Sequence, residues 1–359
     1  MMAKRVYVFT DEPDFALLKH LPPGYADQHG IEFSFGLDKP HDAEAVIFWN
    51  RSEISLTLDI PKCRTAYIAA ESEEIRNISR RFFNQFGFVH SPTSKSLDVS
   101  HCRSSPCWPW VAGVDFSSRL DPRRTKDYSF FRNLSAPQKT PKVSIVTSQR
   151  TSQPMHRQRL DFIEHLRTLI PEHLEVFGAG VRPIDDKLDA IAPYQYHLAL
   201  ENTLLPDSWT EKIADPFLCW AHPFYVGANN IGDYFPSGSF TPLNIEDPKG
   251  AAKVIKSTIE RDVWRNNLAA LGEARERVLE THNAGQVLLN AAKTVLQAPY
   301  DTARPRRHRI YSDLSLIAEK KTARQLLEFL GLNLCLLFDS ECEAKFWRKR
   351  TLRRRLRHS

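Results

Sequence analysis

Between Tyr194 and Gly227 the chain collects side chains suited to holding a negatively charged nucleotide. A short apolar run, Leu198 to Leu200, ends in Glu201 and Asn202, and a polar loop then leads to Ser208-Trp209-Thr210-Glu211-Lys212. The S-x-x-E spacing of Ser208 and Glu211 is a capping box, which predicts a helix start at that point. Free N–H groups and the dipole make a helix start attractive to anions. The same dipole disfavours a lysine in the first turn, so Lys212 is best explained by an anion placed before it.

The elements that must position these residues form two α/β patterns. In the first, KRVYVF, EAVIFW and RTAYIA read as short apolar strands, with helices expected over FALLKHLP and EEIRNISRRFFNQF. Such alternation argues for a parallel sheet with helical crossovers. Residues 91–140 are rich in Ser, Pro and Arg and read as a long loop and interdomain linker ending at SAPQKTP. The second pattern starts at Lys142. KVSIVTS, LEVFG, YHLALEN, HPFYVG and SFTPLNI read as strands, and RQRLDFIEHLRTLI carries a helical apolar stripe. DPKGAAKVIKSTIERD and the segment from Trp264 to Leu296 read as helices, Arg304 to Arg309 as a hinge, and the remainder as a helical tail. The expected division is therefore 1–135, 136–300 and a tail over 301–359.

Composition narrows the class. The chain has 359 residues, 42% hydrophobic and 26% charged, as in globular proteins with room for two domains. No apolar run approaches the ~18–20 residues of a membrane span, and the N-terminus reads as a first strand rather than a leader. Six cysteines, Cys63, Cys102, Cys107, Cys219, Cys335 and Cys342, include no C-x-x-C pair and read as reduced thiols of a cytoplasmic protein. Cys102 and Cys107 with His101 lack a second ligand pair and make a poor zinc site. Asp185-Asp186 is contiguous and reads as surface, and no D-x-D motif ends a strand, so no obligatory metal is expected. The net charge of +6 is concentrated: Lys345–Ser359 carries eight Lys or Arg and no acid, leaving the rest at −2. Phe346, Trp347, Leu352 and Leu356 make that tail amphipathic, suited to peripheral contact with an anionic membrane. No nucleic-acid fold motif accompanies it, and no specific nucleic acid is expected.

E-N, then T-E-K, then an apolar helix and the P-x-x-x-G strand from Pro223 to Gly227 together resemble the signature of glycosyltransferase family 10, the α-1,3/4-fucosyltransferases, bacterial type. The resemblance runs from about Lys142 to about Asp247. It implies a GT-B fold: two Rossmann-like domains facing a central cleft, here followed by a helical basic tail. It also implies GDP-fucose as donor and a glycan acceptor. Arg159, seven residues before the helix leucine Leu166, matches the family's phosphate-binding arginine, with Arg157 as the competing register. Lys212 matches the second phosphate-binding residue. Asn202 and Glu211 match donor-positioning residues, although Glu211 would also serve as the capping-box acid. Glu71, at the end of the strand TAYIAA, matches the setting of the family's general base; the competing reading has Glu71, Glu73 and Glu74 capping a following helix. Relatives carry an aromatic where this chain has Ser208, and Trp209 is the adjacent aromatic.

The expectation is an inverting transferase moving L-fucose to a hydroxyl of an N-acetylglucosamine-containing or lipid-linked oligosaccharide, by α-1,3 linkage, in lipopolysaccharide or surface polysaccharide synthesis. It would work in the cytoplasm or at the inner face of the cytoplasmic membrane, without obligatory cofactor, a divalent cation at most stimulating it. Two rivals stay open. One is a family-10-like transferase with another nucleotide sugar. The other is a non-enzymatic membrane- or nucleic-acid-binding protein acting through the tail.

Overall fold

The computed structural model describes residues 3–11, 17–50, 55–118, 122–136, 138–148, 154–178, 180–300, 307–313 and 316. The basic segment 345–359, with Cys335 and Cys342, lies outside the described residues. Packing divides the chain into two units. The first takes the described residues of 1–17, 24–107 and 287–359, and the second those of 18–23 and 108–286.

The first unit is built on a parallel sheet. Its strands are β1 (Lys4–Phe9), β2 (Ile31–Gly36), β3 (Ala45–Trp49), β5 (Thr65–Ile68), β6 (Phe88–Ser91) and β7 (Ser100–Arg103), while β4 (Leu56–Leu58) lies apart. The order is β2-β1-β3-β5-β6-β7, all parallel. AVIFW and TAYI are buried at every position, the unbroken apolar pattern of a strand covered on both faces. Where FALLKHLP is expected helical, its described residues 17–22 hold a 3-10 turn at Leu18–His20, and α1 (Tyr25–Gln28) follows. Only α2 (Arg80–Phe83) forms within EEIRNISRRFFNQF, because Ser79 starts it by accepting from Phe82 N. Lys95 Nζ also ties down Asn77 and the Ile78 carbonyl in extended chain before it. The expected hinge is partly a strand: His308–Ile310 pairs antiparallel with β4.

The second unit begins earlier than position 136. Trp110, Ala112 and Phe131 belong to its core, so the Pro/Ser-rich stretch supplies β8 (Val114–Asp115), β9 (Arg123–Arg124) and α3 (Tyr128–Asn133) rather than linker alone. Then come β10 (Thr140–Val146), α4 (Pro154–Leu169), β11 (Leu174–Phe177), α5 (Lys187–Ile191), β12 (Tyr194–Leu200), α6 (Glu211–Leu218), β13 (His222–Val226) and β14 (Thr241–Pro242). SFTPLNI contributes only those two residues to a strand. The parallel sheet runs β11-β10-β12-β13-β14. Helices α7 (Pro248–Glu260), α8 (Val263–Asn266), α9 (Leu268–Glu280) and α10 (Ala284–Gln297) complete the described fold. The helical segment expected from Trp264 to Leu296 is thus made of three helices. No helix among the described residues is long and apolar enough to cross a membrane.

In this sheet the strand order reverses between β10 and β12. Crevices at such switch points, beyond the carboxyl ends of the strands, are where doubly wound sheets bind ligands. The candidate residues of the second unit cluster at this point.

Candidate active site

Glu201 follows directly on β12 and extends it, its N–H bonding the Val226 carbonyl at 2.8 Å. Its side chain is 1% exposed. Oε1 accepts from the Thr210 N–H at 2.8 Å and Oε2 from the Thr210 hydroxyl at 2.8 Å. Thr210 is the N-cap of α6, its Oγ1 accepting from Lys212 N at 3.4 Å. The expected capping box of Ser208 and Glu211 does not form. Ser208 is buried and donates to the Pro206 carbonyl at 3.3 Å, and Glu211 is the first helical residue. In a capping box the helix's own third residue supplies the acid that takes the N-cap N–H. Here Glu201, arriving from the neighbouring strand, takes that N–H and moves the cap two residues on.

Gly227 makes this possible. A Cβ there would meet the Tyr225 hydroxyl at 2.2 Å and Glu201 Cγ at 2.6 Å. Asp207, at φ 59°, fixes the intervening loop, accepting from Asn230 Nδ2 and from the Tyr234 hydroxyl, each at 2.8 Å. Trp209 is 3% exposed and packs edge-on against Tyr234, Phe235 and His282. It is a core residue and does not replace the missing aromatic at Ser208. Pro216 lies inside α6, which is nevertheless one unbroken segment; its missing N–H falls near the end of an eight-residue helix.

Lys212 Nζ reaches Thr210 Oγ1 at 3.0 Å, Glu211 Oε1 at 3.2 Å and Glu201 Oε2 at 3.5 Å. Arg159, on α4, donates to Asn202 Oδ1, and its Nε is buried without a partner. Arg157 is exposed, so of the two registers it is Arg159 that faces the strand ends. Arg159 and Lys212 line one small cavity with Val146, Leu200, His197 and Lys187.

Lys187, which no sequence motif singled out, binds Asp215 at 3.2 Å and Glu211 at 3.7 Å. Asp215 Oδ1 in turn accepts from Val111 N at 2.8 Å. Asp186 is not the free surface acid expected: it caps α5 and accepts from Leu188 N and Gly113 N, each at 2.8 Å.

Three cations and three carboxylates therefore share one largely buried cluster: Arg159, Lys187 and Lys212 with Glu201, Glu211 and Asp215. Burial raises the pKa of Glu201 against the pull of Lys212, and raises that of Asp215 against Lys187. Burial would also raise Glu211, but Lys212 and Lys187 outweigh it and hold Glu211 down to about 2. Lys212 is raised because Glu211 and Glu201 outweigh its burial, whereas burial lowers Arg159. Such a set can offer charge-assisted bonds to a phosphate from two directions.

Glu71 lies in the first unit, three residues past the end of β5 and half-buried. The helix that Glu71, Glu73 and Glu74 would cap is not formed; Glu73 instead accepts from the Thr93 hydroxyl and pairs with Lys95 at 3.5 Å. Among the described residues no His, Cys, Asp and Glu group is arranged to hold a metal ion. Cys63, Cys102, Cys107 and Cys219 are free thiols, Cys107 and Cys219 buried.

The model of glycosyltransferase family 10 (fucosyltransferase), C-terminal part, matches residues 136–261. The matched segment contains Arg159, Asn202, Glu211 and Lys212. The structure is also similar to that of an α1,3-fucosyltransferase crystallised with GDP-fucose, at a TM-score of 0.51 and 14% identity over 83% of this chain and 92% of that one. The structure of an α1,3-fucosyltransferase with GDP gives a TM-score of 0.52, again at 14% identity and the same coverage. At that identity the likeness is one of fold, and it assigns the two parallel-sheet units to the GT-B class.

Proposed function

We propose that the protein transfers L-fucose from GDP-fucose to a glycan hydroxyl with inversion at the sugar carbon. The observation that carries this reading is the meeting of Arg159, Asn202 and Lys212 at the β10/β12 switch point, inside the segment matched by the family 10 model. Arg159 and Lys212 neutralise the charge that grows on the departing GDP, the largest electrostatic demand of the reaction. Arginine meets it with a planar fork that can donate two bonds, lysine with a point charge. Glu211, kept ionised by its two lysines, accepts from donor hydroxyls, and Asn202 holds the donor beside Arg159. Glu71 takes the proton of the acceptor hydroxyl as it attacks opposite the β-linked nucleotide, giving an α-linkage. An N-acetylglucosamine-containing oligosaccharide of a surface polysaccharide or lipopolysaccharide, fucosylated at its 3-hydroxyl, fits as acceptor. The work would be done on the cytoplasmic side of the membrane, with 345–359 as the membrane contact.

Calorimetric titration with GDP, UDP, CDP and GDP-fucose, without added metal, tests the donor. Selective GDP binding that weakens in Lys212→Ala supports it. Preference for UDP or CDP would keep the transferase and overturn fucose. Absence of nucleotide binding by folded protein would overturn the reading itself.

A further inference from the structure

The six side chains of the cluster carry three formal positive and three formal negative charges, and a nucleotide diphosphate adds at least two negative charges to them. Adding uncompensated charge to a buried site is costly, so something in the cluster must answer the ligand. Its lysines are already engaged: Lys212 Nζ is held by Thr210 Oγ1, Glu211 and Glu201 at 3.0, 3.2 and 3.5 Å. To meet a phosphate, Lys212 must loosen those contacts. Glu201 then loses the cation paired with it at 3.5 Å and keeps only the bonds from the N–H and hydroxyl of Thr210, with Arg159 acting on it without a direct bond.

We infer that binding of the donor diphosphate draws Lys212 off Glu201, and that Glu201 takes up a proton from solvent in its place. This rests on the donor-site reading above and adds proton coupling to it. The local geometry accommodates the switch. Thr210 Oγ1 now donates to Glu201 Oε2 and accepts from Lys212 Nζ. Once Nζ turns to the phosphate, Oγ1 has a free lone pair that accepts the new O–H of Glu201, while its own hydrogen rotates away from Oε2 toward the phosphate. Oε1 keeps its bond from the Thr210 N–H throughout, and the second lone pair of Oγ1 still takes the Lys212 N–H that caps the helix. The proton comes from water or a buffer acid, and no covalent bond in the ligand changes.

The groups facing Glu201 come from three elements, and of them only Arg159 opposes protonation, a cation that the diphosphate also engages. From α6 they are Thr210, Lys212 and the acid Glu211; from α4, Arg159; from β13, the Tyr225 phenol, whose oxygen is occupied by the Ala228 N–H at 2.9 Å. Burial already raises the pKa of Glu201 with Lys212 present. The other two acids are less suited: Glu211 retains Lys187, and Asp215 is held by Lys187 and by Val111 N.

The test is calorimetric titration of the full chain with GDP-fucose at pH 7.5, in two buffers of different ionisation enthalpy. The esterified diphosphate of this probe has no group titrating near neutrality. The expected result is uptake of about half to one proton per donor bound, with affinity falling up to about tenfold per pH unit as pH rises, the limit for one linked proton. Glu201→Gln, which cannot take up a proton, should bind the donor with no buffer dependence. Lys212→Met removes the cation beforehand, so Glu201 is protonated before the ligand arrives and the uptake should vanish there too. Donor binding without buffer dependence in the wild type overturns the inference and leaves the donor site standing. Uptake that persists unchanged in Glu201→Gln or Lys212→Met overturns it as well. Absence of any nucleotide-sugar binding overturns the donor site and the inference with it.

Discussion

Lys212→Met should separate the two tasks of that lysine, holding the empty site together and meeting the donor. In the empty site the change leaves Glu211 with Lys187 at 3.7 Å, but leaves Glu201, 1% exposed, with only Thr210. Removing one partner of a buried ion pair costs about 3–5 kcal/mol while the other stays charged. Glu201 limits that loss by protonating. Its pKa in the folded variant lies above the unfolded value, so the folded state is favoured at low pH and loses stability as pH rises through the folded pKa. The variant should therefore lose about 3 kcal/mol at pH 8 and visibly less at pH 6. At ~2–4 °C per kcal/mol for a unit of this size, Tm should drop by roughly 6–12 °C at pH 8. On the donor side, one charge-assisted bond is lost, about 1.5–3 kcal/mol, or roughly 10–150-fold in Kd for GDP-fucose. Thermal unfolding at the two pH values and calorimetry on the folded variant measure both. An equal loss of stability at pH 6 and pH 8 would refute the burial of a charged Glu201. A donor Kd within threefold of wild type would refute the phosphate role of Lys212.

Arg159→Lys should raise the donor Kd about tenfold by removing the planar fork, whereas Arg157→Ala, at an exposed position, should leave it unchanged; calorimetry on the pair checks the helix register. Glu71→Gln should lower kcat by about 10²–10⁴, the range for loss of a general base, with donor affinity intact; an unaffected rate would remove Glu71 from the chemistry. Gly227→Ala forces its Cβ against the Tyr225 hydroxyl and Glu201 Cγ, and should cost about 1–3 kcal/mol in denaturant unfolding while weakening donor binding; a neutral outcome would contradict the packing. Burial lowers His20, and lowers His197 to about 3 and His222 and His282 to about 4. These four bind protons more readily unfolded, so stability should fall as pH drops below about 6.5 and continue to fall toward pH 4. The slope approaches roughly 5 kcal/mol per pH unit where all four titrate together; a flat unfolding profile from pH 7 to 5 would refute their burial as neutral imidazoles.

Elements covered on both sides were the legible ones. AVIFW, TAYI and HPFYV announce buried parallel strands by unbroken apolar runs, and all three are buried throughout. Helical stretches of the first unit were misread because apolar spacing alone does not register a competing start signal. Ser79 sits inside the EEIRNISRRFFNQF pattern and caps only the last turn. The Ser/Pro-rich stretch was misread for the opposite reason: its composition suggests a linker, yet Trp110 and Phe131 are single large side chains that commit it to the second core. A local scan weighs composition over a window and gives little weight to one tryptophan.

At the site, Arg159, Asn202, Glu211 and Lys212 of the second unit come together, but the logic joining them is non-local. Glu201 and Thr210 are nine positions apart and meet because β12 ends where α6 begins. The capping-box spacing spans three residues and therefore points to Ser208. Seen through Glu201, the E-N, T-E-K and P-x-x-x-G segments are one device. The strand-end acid replaces the helix's own capping acid, Thr210 links the two, and Gly227 vacates the space the acid needs. What this arrangement achieves is placement: capping α6 from the strand end sets Lys212 at the same strand end as Asn202, where Arg159 already arrives from α4. The acid that builds the site is thus also the one a bound anion would disturb first, which is why assembly of the site and its response to pH should be altered by the same substitutions.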